Sequence, residues 1–462
     1  MGKIAIVGTV LTFLFGPLSS VSAQQAQPVF LNYAEVLGVC NGKVIFYGER
    51  KPGVHNGIYS TDGKAVRLIR DFFDFNSTVD NVWQGFPQHP QLIGPVPLRI
   101  YKNRSHTFVT VCDSVASIKT VQRNFYPEFR ENYVVKNNKL IFGRVSRSST
   151  EVVELSNNRL KPWGVAPSKQ SRADRDGSTR LYGAKNGILF EVADSKTTRR
   201  ALWTTNGAGA RILSDFPEVV AAGYPRWEVR GPVVTGDESV FFGVYAQSTS
   251  GSEKVYHYVT DGETTEQVTY LPPLTRVRDV FPLQSVNGAL VSYEDFSRPT
   301  TSCKLGLVSF AHRTFQDITA ALGNLTGLGM WCYGIAAKTS KGSLFFAHEK
   351  DPNRLMRLNL NTLQLSQLIV ADDRISGIWF FRDVMYFEVN TPSGTSKLYS
   401  TDGTPEGTRP VTVGGRSLLG TEIWRALFHR GSVYLAGYTR ANGDSLIDYG
   451  LYRFTPPTAI QE

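Results

Sequence analysis

The sequence predicts an all-β chain of the β-propeller class, and three observations lead to that prediction. Short apolar runs rich in Val, Ile, Phe and Tyr alternate with turns that contain Gly and Asp, which is the pattern of strands joined by tight turns. One turn motif recurs at multiples of a single spacing. The composition is 12% aromatic and only 19% charged, which favours strands over solvent-exposed helices.

The recurring motif is an aromatic residue followed by two residues and a turn dipeptide. Its clearest copies are IYSTDG at 58–63, LWTTNG at 202–207, HYVTDG at 257–262 and LYSTDG at 398–403. Asp-Gly and Asn-Gly tolerate positive φ, so each copy is predicted to turn one strand into the next. The turn residues are separated by 144, 55 and 141 residues, and they are Asp62, Asn206, Asp261 and Asp402.

These separations are close to three, one and three periods of about 48 residues, and a period of that size with four short strands is typical of propeller blades. The period divides residues 24–462 into about nine units, whereas common propellers have four to eight blades. We predict a single domain of about eight four-stranded blades, with seven or nine as alternatives. The last unit begins at Gly431 and lacks a final strand, so the segment from Pro28 to Tyr33 is expected to complete it.

One copy of the motif resembles a known repeat class. LYSTDGTPEGT at 398–408 resembles the Glu-Leu-Trp-x-x-Asp-Gly-Thr repeat, in which Gly-Thr follows a few residues later. The copies at 58, 202 and 257 keep part of that pattern. The resemblance implies an exported propeller with structural turn acids, and it implies no catalytic residue. The matching residues are Asp402, Gly403, Thr404, Gly407 and Thr408.

Residues 1–23 are predicted to be a cleaved secretory signal. Lys3 supplies a positive start, Ile4 to Phe15 is apolar, and the segment ends in the small residues Ser22 and Ala23, which suit signal peptidase. The apolar run is too short to span a bilayer, although an uncleaved anchor is the alternative. We therefore expect a secreted, extracellular protein without a membrane span.

The cysteines fit export, and the sequence also contains three sequons. An even number of cysteines in an exported chain indicates two disulfides, and three connectivities are possible. Because propeller blades contact only their neighbours, Cys40–Cys112 and Cys303–Cys332 are the favoured pairs. Candidate glycosylation sites of the form N-x-S/T occur at Asn76, Asn103 and Asn324.

Signatures of nucleophilic, zinc and phosphate chemistry are missing from the sequence, so no catalytic residue is assigned. Five glutamates nevertheless follow the apolar strands of their units at similar positions. One interpretation is an acidic rim around the central channel, which would hold a cation such as calcium or a polar ligand. The other is ordinary solvated strand ends. The five are Glu49, Glu191, Glu294, Glu349 and Glu388.

Five tryptophans each stand in the link before an apolar strand. Recurrence in most units is what packing between blades requires, so packing is the preferred interpretation, and stacking platforms for sugar rings are the alternative. The five are Trp83, Trp227, Trp331, Trp379 and Trp424.

Basic residues concentrate in one stretch of a chain whose net charge is +10. On a shared face they would form a patch for sulfated or carboxylated glycans, while a mobile surface loop is the alternative. Few aromatic residues interleave them, so nucleic acid is not expected as a partner. The residues are Lys169, Arg172, Arg175, Arg180, Arg199 and Arg200.

The leading functional hypothesis is a secreted binding module for an anionic glycan or an extracellular protein, because loops on a rigid scaffold carry recognition. The alternatives are a propeller hydrolase or lyase that uses carboxylates at the channel, and a structural component of an extracellular matrix. No cofactor is expected apart from the calcium that an acidic rim would hold.

Overall fold

A computed structural model describes most of the chain. The described residues are 24–51, 54–71, 96–102, 105–115, 119–123, 133–137, 139–145, 149–156, 159–167, 181–194, 199–214, 216–224, 226–251, 253–272, 275–283, 288–295, 303–322, 336–340, 342–348, 351–381, 384–390, 395–421, 426–440 and 447–456.

These residues form nine β-sheets that follow one another along the chain. Two short strands come first, β1 (Gln24–Gln25) and β2 (Gln27–Leu31). Sheet 1 contains β3 (Ala34–Cys40), β4 (Lys43–Lys51), β5 (Val54–Thr61) and β6 (Val66–Asp71). Sheet 2 contains β7 (Val96–Lys102), β8 (Ser105–Val111) and β9 (Lys119–Arg123). Sheet 3 contains β10 (Tyr133–Lys136), β11 (Lys139–Val145), β12 (Ser149–Ser156) and β13 (Arg159–Pro167). Sheet 4 contains β14 (Leu181–Ala184), β15 (Gly187–Asp194), β16 (Arg199–Thr205) and β17 (Ala210–Ser214).

A five-residue helix, α1 (Pro217–Ala221), links sheet 4 to sheet 5. Sheet 5 contains β18 (Arg226–Val234), β19 (Val240–Gln247), β20 (Glu253–Thr260) and β21 (Thr265–Gln267). Sheet 6 contains β22 (Thr275–Pro282), β23 (Gly288–Asp295), β24 (Cys303–Ser309) and β25 (Thr314–Asp317). Sheet 7 contains β26 (Ala336–Ser340), β27 (Ser343–His348), β28 (Asp351–Asn359) and β29 (Leu365–Val370). Sheet 8 contains β30 (Ile375–Phe381), β31 (Val384–Asn390), β32 (Ser396–Thr401) and β33 (Arg409–Val413), followed by β34 (Arg416–Ser417). Sheet 9 contains β35 (Leu427–His429), β36 (Ser432–Arg440) and β37 (Ile447–Phe454), with β2 as its fourth strand.

The predicted all-β propeller is confirmed. Eight of the sheets have four antiparallel strands in simple up-and-down order, and β1 and β34 extend one of them, sheet 8. The described part of sheet 2 has three strands. The eight four-stranded blades of the prediction are therefore present, and sheet 2 is a ninth unit. Within the described ranges, no helix is long and apolar enough to cross a membrane.

The first strand of each sheet lies nearest the axis. From sheet 3 to sheet 8, the first strand of each sheet contacts the first strand of the next, which occurs when strands converge on a common centre. The hydrophobic cores lie between successive sheets. Phe241 of β19 packs with Ala289 of sheet 6, whereas its neighbour Phe242 packs with Leu189 of sheet 4. Because side chains alternate along a strand, each sheet supplies one face to each neighbour.

The ring closes where the chain begins. Strand β2 pairs antiparallel with β37 and completes sheet 9, which confirms the expectation for the segment around Pro28. The ring of Phe30 lies 5.2 Å from Phe46 and 5.0 Å from Tyr59 of sheet 1. Leu427 and Leu451 of sheet 9 share a core with Phe46. The N-terminal strand therefore links the last sheet to the first.

The repeated turn motif connects the third and fourth strands of its sheets. At the first copy, Asp62 Oδ1 accepts hydrogen bonds from the backbone N–H groups of Lys64 and Ala65 at 2.8 and 2.9 Å. Thr61 Oγ1 accepts a bond from Gly63 N at 2.9 Å, and Gly63 has φ of 91°. The bonds from Ala65 and Lys64 lower the pKa of Asp62. Asn206, Asp261 and Asp402 accept equivalent bonds, so the motif is structural.

Candidate binding site

Four of the five predicted rim carboxylates fall within described residues, and all four lie on second strands: Glu49 on β4, Glu191 on β15, Glu294 on β23 and Glu388 on β31. Each shares a strand face with a residue that packs on the following sheet, respectively Ile45, Leu189, Leu290 and Tyr386. They therefore lie between neighbouring sheets, one strand outward from the innermost strand. Glu349 lies outside the described residues.

Two of these carboxylates have a hydroxyl partner nearby. Tyr182 Oη donates to Glu191 Oε1 at 3.4 Å, and Thr421 Oγ1 donates to Glu388 Oε1 at 2.6 Å. Among the described residues, no three or more His, Cys, Asp or Glu side chains lie close enough to hold a metal ion. The calcium interpretation therefore gains no support from these carboxylates, and the acidic rim stays a prediction.

The first predicted disulfide is confirmed. Cys40 and Cys112 are bonded with a Cα–Cα distance of 5.3 Å across 72 residues of sequence. The bond joins sheet 1 to sheet 2 beside a hydrogen bond of 3.1 Å from Asn41 to Asp113. Cys303 begins β24 and Cys332 lies outside the described residues, so the second pairing stays a prediction. The sequons at Asn76, Asn103 and Asn324 also lie outside them.

Two of the five tryptophans predicted to stand in links are described; they lie instead on the first strands of sheets 5 and 8, β18 and β30, and both pack between sheets. Trp227 is 3% exposed, and its ring lies 5.0 Å from that of Phe216. Trp379 packs against the core between sheets 8 and 9. Packing is thus confirmed for these two side chains. Trp83, Trp331 and Trp424 lie outside the described residues.

The predicted basic patch falls mostly outside the described part of the chain. Lys169, Arg172, Arg175 and Arg180 belong to the segment that connects β13 of sheet 3 to β14 of sheet 4. Arg199 and Arg200 are the first residues of β16 in sheet 4. All six therefore belong to sheet 4 or to the connection that leads into it, and their grouping on one face stays a prediction.

The line along which sheet 3 meets sheet 4 carries a second group of cations and two tryptophans. Trp163 of β13 and Trp203 of β16 are half-buried against the core that the two sheets share. Ile212, the cross-strand partner of Trp203, is 48% exposed. Lys139, Arg159 and Lys161 are exposed on sheet 3. We call these six residues, Lys139, Arg159, Lys161, Trp163, Trp203 and Ile212, the 3–4 seam.

A buried carboxylate organises the seam. Glu154 of β12 is only 2% exposed, and Lys139 Nζ lies 3.2 Å from its Oε2 atom. The indole nitrogen of Trp163 donates to the same oxygen at 2.6 Å. Gly164 pairs with Val152 and Pro162 pairs with Val153, so Trp163 is the extra residue of a β-bulge. Such a bulge re-aims a side chain, and here it aims the indole at Glu154.

Sequence reasoning missed the seam. Trp163 belongs to no recurring position, and Lys139, Arg159 and Lys161 are too far apart in sequence to look like a patch. Strand register would have helped, because Lys161 pairs with Glu154 and Glu154 pairs with Ile141. The bulge at Trp163 leaves no comparable signal in the sequence.

Fold and seam together define a β-propeller with a basic, tryptophan-containing seam, and comparison with known proteins adds only fold-level likeness. No family model and no curated protein matches the chain. Solved structures of similar fold include a prolyl endopeptidase, with 9% identity over 89% of this chain and 55% of that one and a TM-score of 0.43. The chain thus spans about half the length of the endopeptidase. Others are Sqt1 of Saccharomyces cerevisiae, with 8% identity over 94% and 98% and a TM-score of 0.39, and an oligogalacturonate lyase in complex with manganese, with 8% over 94% and 92% and a TM-score of 0.39.

Proposed function

We propose that this protein is a secreted propeller that binds an anionic glycan outside the cell. The observation that carries the proposal is the concentration of cations around one pair of neighbouring sheets. Arg159 and Lys161 are exposed on sheet 3, and the connection from sheet 3 to sheet 4 contains Arg172 and Arg175. A dense positive surface attracts polyanions and raises their rate of association.

Export is supported by two independent features. Residues 1–23 have the charge, the apolar run and the small terminal residues of a secretory signal. The Cys40–Cys112 disulfide is a bond that persists mainly in oxidising compartments. Sulfated and carboxylated polysaccharides are abundant polyanions outside cells, and a basic exported protein, whose full chain carries a net charge of +10 including Lys3 of the signal, is suited to bind them.

Heparin affinity chromatography of the secreted protein tests the proposal. We expect retention on heparin agarose and elution above physiological salt, whereas neutral agarose should not retain the protein. Arg172→Glu with Arg175→Glu should lower the salt needed for elution. The control, Lys64→Glu with Arg67→Glu on sheet 1, makes the same change in net charge, and both of its side chains are exposed.

Two outcomes would reject the proposal. One is passage of the wild-type protein through every sulfated and carboxylated matrix. The other is an equal loss of retention in the two double variants, since that would reduce the binding to net charge alone. Capture of a defined protein ligand in the absence of glycan binding would favour the protein-partner hypothesis instead.

A further inference from the structure

We infer that the 3–4 seam is a subsite for a sulfated or carboxylated polysaccharide, with Trp163 and Trp203 as the surfaces on which sugar rings pack and with Arg159 and Lys161 as the anion-binding groups. The inference rests on the proposed function and assigns it to particular residues. None of these residues belongs to the predicted basic patch, so the two assignments can fail separately.

The two tryptophans of the seam are neither fully buried nor free to turn. Both are half-buried against the core of sheets 3 and 4. The indole nitrogen of Trp163 is held at 2.6 Å by Glu154, and its carbonyl accepts a bond of 3.0 Å from Thr205 Oγ1 of sheet 4. An aromatic surface fixed in this way loses little side-chain entropy when a ligand binds.

Sheet 4 brings its own backbone against Trp163. A Cβ atom built on Gly207 would lie 3.2 Å from the Trp163 ring, so the turn of sheet 4 packs against one side of the indole, which is still only half-buried. On the other side of the seam, the ring centroid of Trp203 lies 6.4 Å from Phe190, while its partner Ile212 stays 48% exposed. The seam thus offers apolar area on both sheets.

The cations of the seam outnumber its buried carboxylate. Lys139 is paired with Glu154 at 3.2 Å, whereas Arg159 and Lys161 have no ion-pair partner within the described ranges. Arg159 and Lys161 are two residues apart on β13 and therefore point to the same side of the strand, with their Cα atoms about 7 Å apart. Three cations against one carboxylate leave a net charge of +2 at the seam. Arg159 and Lys161 are exposed and are therefore accessible to an anionic ligand.

A ligand that uses the whole seam must contact both the tryptophan rings and the two cations. The C–H face of a pyranose packs on an aromatic ring, while its hydroxyls remain in water. Sulfate and carboxylate groups accept charge-assisted hydrogen bonds from Arg and Lys. A polysaccharide that carries such groups supplies both contacts in one chain. A neutral glycan would leave Arg159 and Lys161 unused, and a small inorganic anion would leave the indole surfaces uncovered.

The test measures binding of a fluorescein-labelled heparin decasaccharide to the full-length secreted protein by fluorescence anisotropy. Arg159→Ala with Lys161→Ala should weaken binding at least about tenfold, because two charge-assisted contacts are lost. The matched control, Lys64→Ala with Arg67→Ala, removes the same charges from two exposed positions of sheet 1, one in the turn before the fourth strand and one on that strand, and should change binding less than about twofold.

A second arm tests the aromatic contact without charge. Trp203→Phe and Ile212→Thr should each weaken binding about threefold or more, since apolar area leaves the seam, while unfolding by urea confirms that the variants remain folded at the assay temperature. Full binding by both the Arg159/Lys161 and the Trp203 variants would overturn the inference.

The outcomes separate this inference from the proposed function. Wild-type binding that is lost in the Arg172/Arg175 variant but kept in the seam variants rejects the seam and leaves the proposed function standing. No binding of any sulfated or carboxylated glycan by the wild-type protein rejects the proposed function itself. Equal affinity for single-stranded oligothymidylate, lost in the same seam variants, would reassign the seam to nucleic acid and overturn the glycan inference.

Discussion

Sheets 3 and 5 present the same strand positions to the sheet that follows each, yet they bury different groups there. On the third strand, opposite a glycine of the second strand, sheet 3 has Val152 and sheet 5 has His257. Two residues further along, sheet 3 has Glu154 where sheet 5 has Val259. The boundary between sheets 3 and 4 and the boundary between sheets 5 and 6 thus have the same backbone arrangement. The buried polar group, however, lies at a different position of the third strand in each.

The two polar groups are also treated differently by their surroundings. Glu154 has Lys139 and the Trp163 indole as partners. Both ring nitrogens of His257 are buried without a hydrogen-bond partner among the described residues, and its ring lies 5.8 Å from that of Phe241. Burial lowers the pKa of His257 to about 4, so the ring is neutral at pH 7. The free-energy cost of burying a polar group is thus lowered in two ways: Glu154 has hydrogen-bonding partners, and His257 is neutral.

The largest expected effect follows from this difference at low pH. A folded-state pKa below the unfolded value of about 6.5 means that the unfolded chain binds the proton more readily. Stability contributed by neutral His257 is therefore present at pH 7 and above and is lost as pH falls from about 6.5 toward 4. The loss at pH 4.5 should be about 2–3 kcal/mol.

Urea unfolding at pH 7.5 and pH 4.5 measures that loss. His257→Leu should reduce the acid destabilisation by about 2–3 kcal/mol relative to wild type. The control is His312→Gln, at an exposed residue of sheet 6, and it should keep the wild-type pH dependence. If His257→Leu loses as much stability in acid as the wild type does, the buried histidine between sheets 5 and 6 is not the cause of the acid destabilisation.

An intermediate effect is expected at Glu154. Trp163→Phe keeps an aromatic ring but removes the donor that lies 2.6 Å from this buried carboxylate. A lost bond to a charged group costs about 1.5–3 kcal/mol, to be measured as the free energy of unfolding at pH 7.5. Trp203→Phe is the matched control, because it changes an indole of the same seam and leaves the Glu154 bond intact, and it should cost less. Equal losses would show that the bond to Glu154 adds nothing.

The smallest effect tests the regions in which all copies are alike. Asp62→Asn should leave the melting temperature nearly unchanged, because Asn206 already accepts the equivalent turn bond at 3.1 Å. Asp62→Ala removes the acceptor for Lys64 and Ala65 and should lower the melting temperature. Thermal unfolding of both variants provides the comparison. A larger cost for Asn than for Ala would contradict a role limited to hydrogen bonding in the turn.

Much of the fold could be predicted because it depends on local signals that recur. Asp-Gly and Asn-Gly turns such as Asp62-Gly63 require positive φ, and their spacing reveals the repeat. The missing strand after Gly431 predicted closure by the segment around Pro28, which pairs with Tyr452. The Cys40–Cys112 disulfide was predictable from the same repeat, because neighbouring units are in contact.

The candidate site was less predictable because it depends on which strand faces which neighbour. Similar positions after apolar strands predicted that Glu191 and Glu388 share a register, and both do lie on the face that packs on the following sheet. Their distance from the axis was not predictable, since the order of strands from centre to edge is a property of the assembled ring. The seam around Trp163 depends in addition on a β-bulge.

By itself, the sequence determined the period, the turns and the alternation of the strands, because each depends on backbone preferences and side-chain pattern within a few residues. Only the tertiary structure decided that Lys139, Glu154 and Trp163 meet, that Gly207 of sheet 4 packs against one side of the indole, and that His257 is enclosed without a hydrogen-bond partner among the described residues. Those contacts arise between strands and sheets, where the distance between two side chains depends on register and packing rather than on their separation along the chain.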